Sequence, residues 1–269
     1  MYTDITNCAI DAAKEAGRKL RSGYGTAFQI SSKEGKNNLV TEYDHAAEKI
    51  IIDMIRERFP EHQILAEESG YSGSEDEDQV LWVIDPLDGT VNFAHAIPIF
   101  SVSIAAVKNK EILCGVIYHP ILDELFVAEK GNGATLNGHK IQVSNTEKFE
   151  NSMLVTGFPY NVNQNPCGCI DHFVDVIKQG IPIRRLGSAA LDLAYVACGR
   201  FDGFWEINLH PWDVAAGVLL VQEAGGRVSQ YNNADYWIDN ASILSSNGII
   251  HEDVSKVLNK CKCGVNYAD

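Results

Sequence analysis

Residues 80–93 read VLWVIDPLDGTVNF. The apolar run from Val80 to Ile84 has the length and β-branched content of a buried strand. It ends on Asp85, and Pro86, which has no N–H to give, is expected to stop the ladder there. Asp88 follows three residues later, and Gly89-Thr90 opens a short helix. Carboxylates at the carboxyl end of a strand, facing a helix N-terminus, suit a metal ion and a phosphate together. Gly89 lets the main chain approach an anion closely, and the N–H groups of Gly89 and Thr90 can hold its oxygens.

Further acidic positions converge on this stretch from both sides. Upstream, the short strand-like run 63–66 leads directly into Glu67-Glu68. Before it, Thr41 is a candidate N-cap for a helix reaching Arg58, with Ala47, Ile50, Ile51, Met54 and Ile55 on one face. That places Asp44 in the first turn, where the helix dipole favours an anion. Downstream, a helix with Pro211 at its first position and Gly225-Gly226 at its end carries Asp213 in its first turn. Taken singly, an Asp-Gly is a turn and an Asp near a helix start is a cap. Taken together, these acids match what hard divalent ions need: oxygen ligands, some able to bridge two metals.

The remaining pattern sets the fold class. A first helix spans 3–22, and apolar runs at 100–107, 112–118 and 124–128 suggest an antiparallel meander, with a hairpin turn at Asn137-Gly138. The glycine-rich stretch GNGATLNG (131–138) lacks a following Gly-Lys-Ser/Thr and reads as a turn. Past residue 150, strands at 152–156 and 203–206 alternate with helices near 170–178 and from Ser188 to Cys198. The expectation is an α/β (α+β) layered sandwich of alternating helix and sheet layers. It divides into an N-terminal half, 1–148, with the main acidic motif, and a C-terminal half, 149–269, with Trp212-Asp213 and the substrate-side residues.

Composition narrows the function. The 269 residues are 45% hydrophobic and 22% charged, with a net charge of −14. That balance is globular and argues against a nucleic-acid or anionic-membrane partner, both of which need a basic face. The run from Glu75 to Asp78 reads as a solvated loop. The N-terminus lacks a secretory pattern, so a cytoplasmic location is the default. Among the seven cysteines, Cys8, Cys114 and Cys198 are expected to be buried thiols. The pairs Cys167/Cys169 and Cys261/Cys263 lack zinc spacing and read as surface thiols. Ser188 has no evident His partner for a nucleophilic triad, and His210 reads as structural.

The stretch from Trp82 to Phe93 resembles the first signature of the inositol monophosphatase family. Trp212-Asp213-Val-Ala-Ala-Gly217, followed by Glu223-Ala-Gly-Gly226, resembles the second, and the series from Asp44 onward follows the order of the wider lithium-sensitive phosphatase superfamily. The resemblance covers about residues 4–260. It implies the family fold and Mg²⁺-dependent hydrolysis of a small phosphorylated metabolite, myo-inositol monophosphate first, by a homodimer holding two or three Mg²⁺ per site. Glu67, Asp85 and the Leu87 carbonyl would bind one Mg²⁺; Asp85, Asp88 and Asp213 would bind a second; a third would share Glu67. Thr90, hydrogen-bonded to Asp44, would position the attacking water. Gly187, Ser188, Ala189 and Glu206 match segments that contact substrate hydroxyls, and Lys33 matches a basic residue of a loop over the site. Asn38 departs from the Asp of many relatives. Histidinol phosphate and other sugar phosphates are alternative substrates, and a regulatory binding protein built on the same fold is the alternative from another class.

Overall fold

Strand residues of the central sheet alternate strictly between two apolar interiors, and that alternation stacks the layers. In the computed structural model, which describes residues 2–32, 39–74 and 78–260, the elements run α1 (Asp4–Gly23), β1 (Ile30–Ser32), β2 (Leu39–Thr41), α2 (Glu42–Arg58), β3 (Gln63–Ala66), β4 (Gly70–Ser72), β5 (Leu81–Asp88), α3 (Thr90–Ala94), β6 (Ser101–Lys108), β7 (Glu111–His119), β8 (Glu124–Glu129), β9 (Gly133–Leu136) and β10 (His139–Lys140). They continue with β11 (Leu154–Thr156), α4 (Cys169–Ile177), β12 (Ile183–Arg184), α5 (Ala189–Ala197), β13 (Gly203–Ile207), α6 (Pro211–Glu223), β14 (Arg227–Ser229), β15 (Ser242–Ser246) and α7 (His251–Leu258).

Eight strands form one sheet in the order β10-β9-β8-β7-β6-β5-β3-β4, and five form another, β12-β11-β13-β15-β14. Trp82, Ile84, Ile104, Ala106 and Val116 turn one way, into a core shared with α1 and α2. Val83, Ala105, Val107, Ile117 and Phe126 turn the other way, against α5 and α6. The same helices cover the inner face of the second sheet through Val155, Phe204 and Ile243. Its outer face, with Leu154, Trp205 and Leu244, packs on α4 and α7. Helix pairs and sheets therefore alternate in five layers, the layered α/β (α+β) class expected from sequence. The apolar α5 and α6, buried from both sides, lack the polar face a surface helix would carry.

Local signals behave as their chemistry dictates, with three corrections. Thr41 caps α2 and closes a capping box with Asp44, and the meander at β6–β7–β8 is antiparallel. Pro86 does not end the strand: β5 continues to Asp88, and its ladder with β6 is irregular between Asp85 and Asp88 before Asp88 pairs with Ser101. A missing N–H is absorbed by an irregularity in the ladder. The 131–138 stretch is part strand, since β9 lies within it; its Gly131 and Gly133 N–H groups donate to the Glu223 carboxylate, both at 2.8 Å. Cys8 and Cys114 are buried, but Cys198 is half-buried, and Cys169 is buried rather than on the surface. Lys33, Asn38, Glu75, Asp76, Glu77, Cys261 and Cys263 lie outside the described residues. No described helix is long and apolar enough to cross a membrane.

In the outer core His251 is fully buried. Its Nε2 and Nδ1 each lie 2.8 Å from a serine hydroxyl, of Ser229 and Ser246 respectively. Burial pushes its pKa down from 6.5 to about 4, with Arg227 adding to the effect. The unfolded chain therefore binds a proton that the folded chain refuses, and stability should fall as pH drops from about 6.5 towards 4. A His251→Asn variant should have a lower thermal midpoint at neutral pH and a shallower decline across that window. Midpoints measured at half-unit steps check this, and parallel declines in both proteins would remove His251 as the cause.

Candidate active site

The carboxyl end of β5 receives the N-termini of α5 and α6, and each arriving element brings or orients an acid. Asp85 is 2% exposed, and one of its oxygens accepts the Leu87 N–H at 2.9 Å. Asp88 Oδ2 accepts from the Ser188 hydroxyl at 2.5 Å and from the Ala190 N–H at 2.9 Å. Ser188 is also the N-cap of α5, accepting from the Leu191 N–H. Asp213, in the first turn of α6, accepts the His210 N–H at 2.7 Å. Ser103, the β6 partner of Asp85, donates to the Trp212 carbonyl and ties that helix start to the sheet. Glu67 leaves β3 beside β5, its N–H on the Ile84 carbonyl, while the adjacent Glu68 N–H donates to Glu48.

Asp44 and Thr90 meet as the sequence resemblance implied. Asp44 accepts from the Thr41 N–H at 2.8 Å, the Thr41 hydroxyl at 2.6 Å and the Thr90 hydroxyl at 3.0 Å. The Leu87 carbonyl also lies 3.0 Å from the Thr90 hydroxyl. Between these residues Gly89 has φ +96°, and a Cβ there would sit 3.0 Å from the Ile99 carbonyl and 3.2 Å from that of Gly187. Glycine is thus required twice over, for the left-handed backbone and for the close approach. Asn92, which sequence reading passed over as a functional position, clamps both neighbouring loops by donating to the Ile99 and Leu186 carbonyls at 2.7 and 2.8 Å. It holds the 186–189 segment against the acidic motif.

The acids share one electrostatic field. Burial first, then Glu67, Asp88 and Asp213, hold Asp85 well above the usual carboxylate range. Burial lifts Asp88 to about 6, against the hydrogen bonds from Ser188 and Ala190. Burial also raises Asp44, against its bonds from Thr41 and Thr90. Glu206, on β13, is 7% exposed, and burial, then Asp213 and Asp88, lift it to about 8, with Arg185 opposing. Asp192, also missed, is buried in the first turn of α5 with one oxygen unpartnered among the described residues, and burial and Glu206 raise it well above its ordinary value. A lone acid in the apolar run from Ala189 to Ala197 was the available signal. Tyr160, another omission, is 59% exposed, yet partial desolvation and then the charges of Glu67, Asp213, Asp88 and Asp85 push its hydroxyl up to about 12.

The donor set fits hard divalent cations: carboxylates and a main-chain carbonyl, with no thiolate. Among the described residues no three His, Cys, Asp or Glu side chains form a ready-made cage. Magnesium rarely uses one, since it keeps several waters and takes one or two carboxylates together with substrate phosphate oxygens. Asp44, Asp85, Asp88 and Asp213 each have an oxygen tied to the protein, which fixes its direction. A cation would also relieve the repulsion that raises Asp85.

The inositol monophosphatase family model matches residues 1–262. The chain is 46% identical over 255 residues to an inositol-1-monophosphatase of Synechocystis, covering 93% of this chain and 87% of that one. It is 45% identical over 244 residues to the Nus factor SuhB of Escherichia coli, covering 90% and 91%. The solved inositol monophosphatase of Anabaena superposes with a TM-score of 0.85 at 43% identity, covering 95% of both chains. The chain belongs to the inositol monophosphatase family, as a phosphoric monoester hydrolase of the inositol-1-monophosphatase type.

Proposed function

We propose that the protein hydrolyses myo-inositol monophosphate to inositol and phosphate with Mg²⁺, at the carboxyl end of β5. The observation that carries this reading is the burial of Asp85 in a field shared with Glu67, Asp88 and Asp213, which together raise its pKa. In this reading Glu67, Asp85 and the Leu87 carbonyl would hold one ion, and Asp85, Asp88 and Asp213 would hold another; a third would share Glu67. When bound, the ions supply Lewis-acid chemistry and neutralise charge on the transferring phosphoryl group. Thr90 donates its proton towards Asp44, which leaves hydroxyl lone pairs to accept a hydrogen bond from the attacking water and orient it. The Gly89 and Thr90 N–H groups face the phosphoryl oxygens. Gly187, Ser188, Ala189 and Glu206 line the leaving-group side, with Glu206 accepting from a polyol hydroxyl. Lithium sensitivity and a homodimer are carried over from the family alone, whereas the division into halves at 148–149 rests on the change in sequence pattern there. Histidinol phosphate or another sugar phosphate would use the same phosphoryl machinery. A regulatory binding role alongside catalysis is favoured by one finding, the similarity to a protein named as a Nus factor.

The reading is tested by phosphate release from inositol monophosphate with Mg²⁺ and with EDTA. Asp85→Asn removes the bridging charge and should reduce kcat by at least about a thousandfold, since metal and transition-state stabilisation are lost together. Near wild-type turnover in that variant at saturating Mg²⁺ would falsify the assignment.

Metal and pH should also be linked in stability. Asp88 and Glu206 are raised to about 6 and about 8, so the stability they contribute is full below their unfolded values and is lost as pH rises through the folded ones. In EDTA the thermal midpoint should decline between about pH 6.5 and 8, a window in which His251 is already neutral. Mg²⁺ should flatten the decline. Scanning calorimetry with and without Mg²⁺ decides it, and a midpoint in EDTA that rises across the window would be the contrary result.

Glu206→Ala should separate substrate choice from chemistry. Glu206 is ionised above about pH 8, and at lower pH once bound cations offset Asp213 and Asp88. A hydrogen bond to a charged group contributes about 1.5–3 kcal/mol, so kcat/KM for inositol monophosphate should fall roughly ten- to a hundredfold relative to that for a plain aryl phosphate. Steady-state kinetics on both substrates is the measurement. Equal losses would take Glu206 out of the specificity site.

A further inference from the structure

We propose that Gly157 is a positioning residue for substrate choice: the absence of a side chain there is what lets the Glu206 carboxylate stand where it does. The inference rests on the reading that Glu206 faces the leaving group. Strands β11 and β13 are parallel, with Val155 opposite Phe204 and Thr156 opposite Trp205. One step further along the same register brings Gly157 beside Glu206. Val155 and Phe204 both point into the inner core, so by alternation Gly157 and Glu206 share that face. A Cβ built on Gly157 would overlap Cδ, Oε1 and Oε2 of Glu206, and these are its three nearest neighbours. The carboxylate thus occupies the volume that any other residue at 157 would fill.

The site has the character of a ligand-facing wall. Glu206 is 7% exposed, and among the described residues neither of its oxygens accepts a hydrogen bond. Its oxygens are not among the fully buried unpartnered atoms, so they keep some opening through which a donor from outside can reach them. The segment leaving Gly157 continues the wall. Phe158 packs edge-on to Phe173 and carries the Arg185 guanidinium 5.5 Å above its ring. Arg185 in turn opposes the rise in the Glu206 pKa. Two residues on, Tyr160 stands in the field of the four acids.

The backbone of Gly157 is outside the left-handed region, so alanine is conformationally acceptable there. The obstruction is only the far end of a flexible side chain. Gly157→Ala should therefore fold with a thermal midpoint within a few degrees of wild type while displacing the Glu206 carboxylate. The ratio of kcat/KM for inositol 1-phosphate to that for para-nitrophenyl phosphate should drop about tenfold or more, the scale of one lost charged hydrogen bond. Shortening the acid in Gly157→Ala/Glu206→Asp makes room again, so the double variant should recover part of the ratio and deviate from additivity. An unchanged ratio in Gly157→Ala, or strict additivity in the cycle, would overturn the proposal. A crystal structure of Gly157→Ala reads the positioning without reference to substrate: a carboxylate moved by about an ångström or more supports it, and one that has not moved overturns it. If wild type itself shows no preference for inositol 1-phosphate, the proposed substrate fails, and that crystal structure still decides what Gly157 does.

Discussion

Like-charge repulsion in a buried corner is the constraint that orders the rest of this structure. Asp85 and Asp88 are nearly inaccessible, and Glu67 and Asp213 act on them from neighbouring elements. Such a cluster disfavours its own ionised form, so the fold must hold it by other means. It does so with donors: the Leu87 N–H on Asp85, the Ser188 hydroxyl and Ala190 N–H on Asp88, and the His210 N–H on Asp213. Two of these acids meet helix starts, where the peptide dipoles present positive charge. The layering serves the same end. Only because α5 and α6 are buried between the two sheets can both of their N-termini reach the end of β5.

Legibility in the sequence followed the range of the interactions involved. Capping is local, so Thr41 and Pro211 located their helices and placed Asp44 and Asp213 in first turns. The acidic motif is contiguous, and Asp88, Glu67 and Asp213 all act electrostatically on Asp85. Pro86 was misread because a strand can lose one N–H and resume pairing two residues later, as Asp88 does with Ser101. Asn92 was missed because its partners, Ile99 and Leu186, are set by tertiary packing. Gly157, Asp192 and Tyr160 were missed for the same reason. A glycine gives no sign of what fills its empty side, and only the β11–β13 register reveals that it is Glu206.

The site separates two kinds of recognition along the boundary between the two sheets. Residues that would meet the phosphoryl group, from Asp85 to Thr90, come from one short stretch on the large sheet. Residues that would meet the leaving group come from α5, β13 and the segment after β11, all belonging to the smaller sheet and its helices. Asn92, which reaches from α3 to the Leu186 carbonyl, holds the two in register together with the Ser188 and Ala190 bonds to Asp88.

That separation would let the opposite wall change without disturbing the phosphoryl machinery. Glu206 shows how such a wall discriminates. A buried acceptor left without a donor costs about 1–3 kcal/mol, and more when charged. A substrate that brings a hydroxyl removes the deficit, whereas one without a hydroxyl leaves it standing. Sites built to hydrogen-bond a substrate group reject analogues that lack it more strongly than apolar pockets reject a missing methylene. If Glu206 faces the leaving group as proposed, the discriminating element is its hydrogen bond to the substrate, and the direction of that bond is set by whatever neighbours Glu206 on β11. A position with no side chain fixes that direction by leaving space, which is why its contribution lies in packing and is invisible to charge or motif.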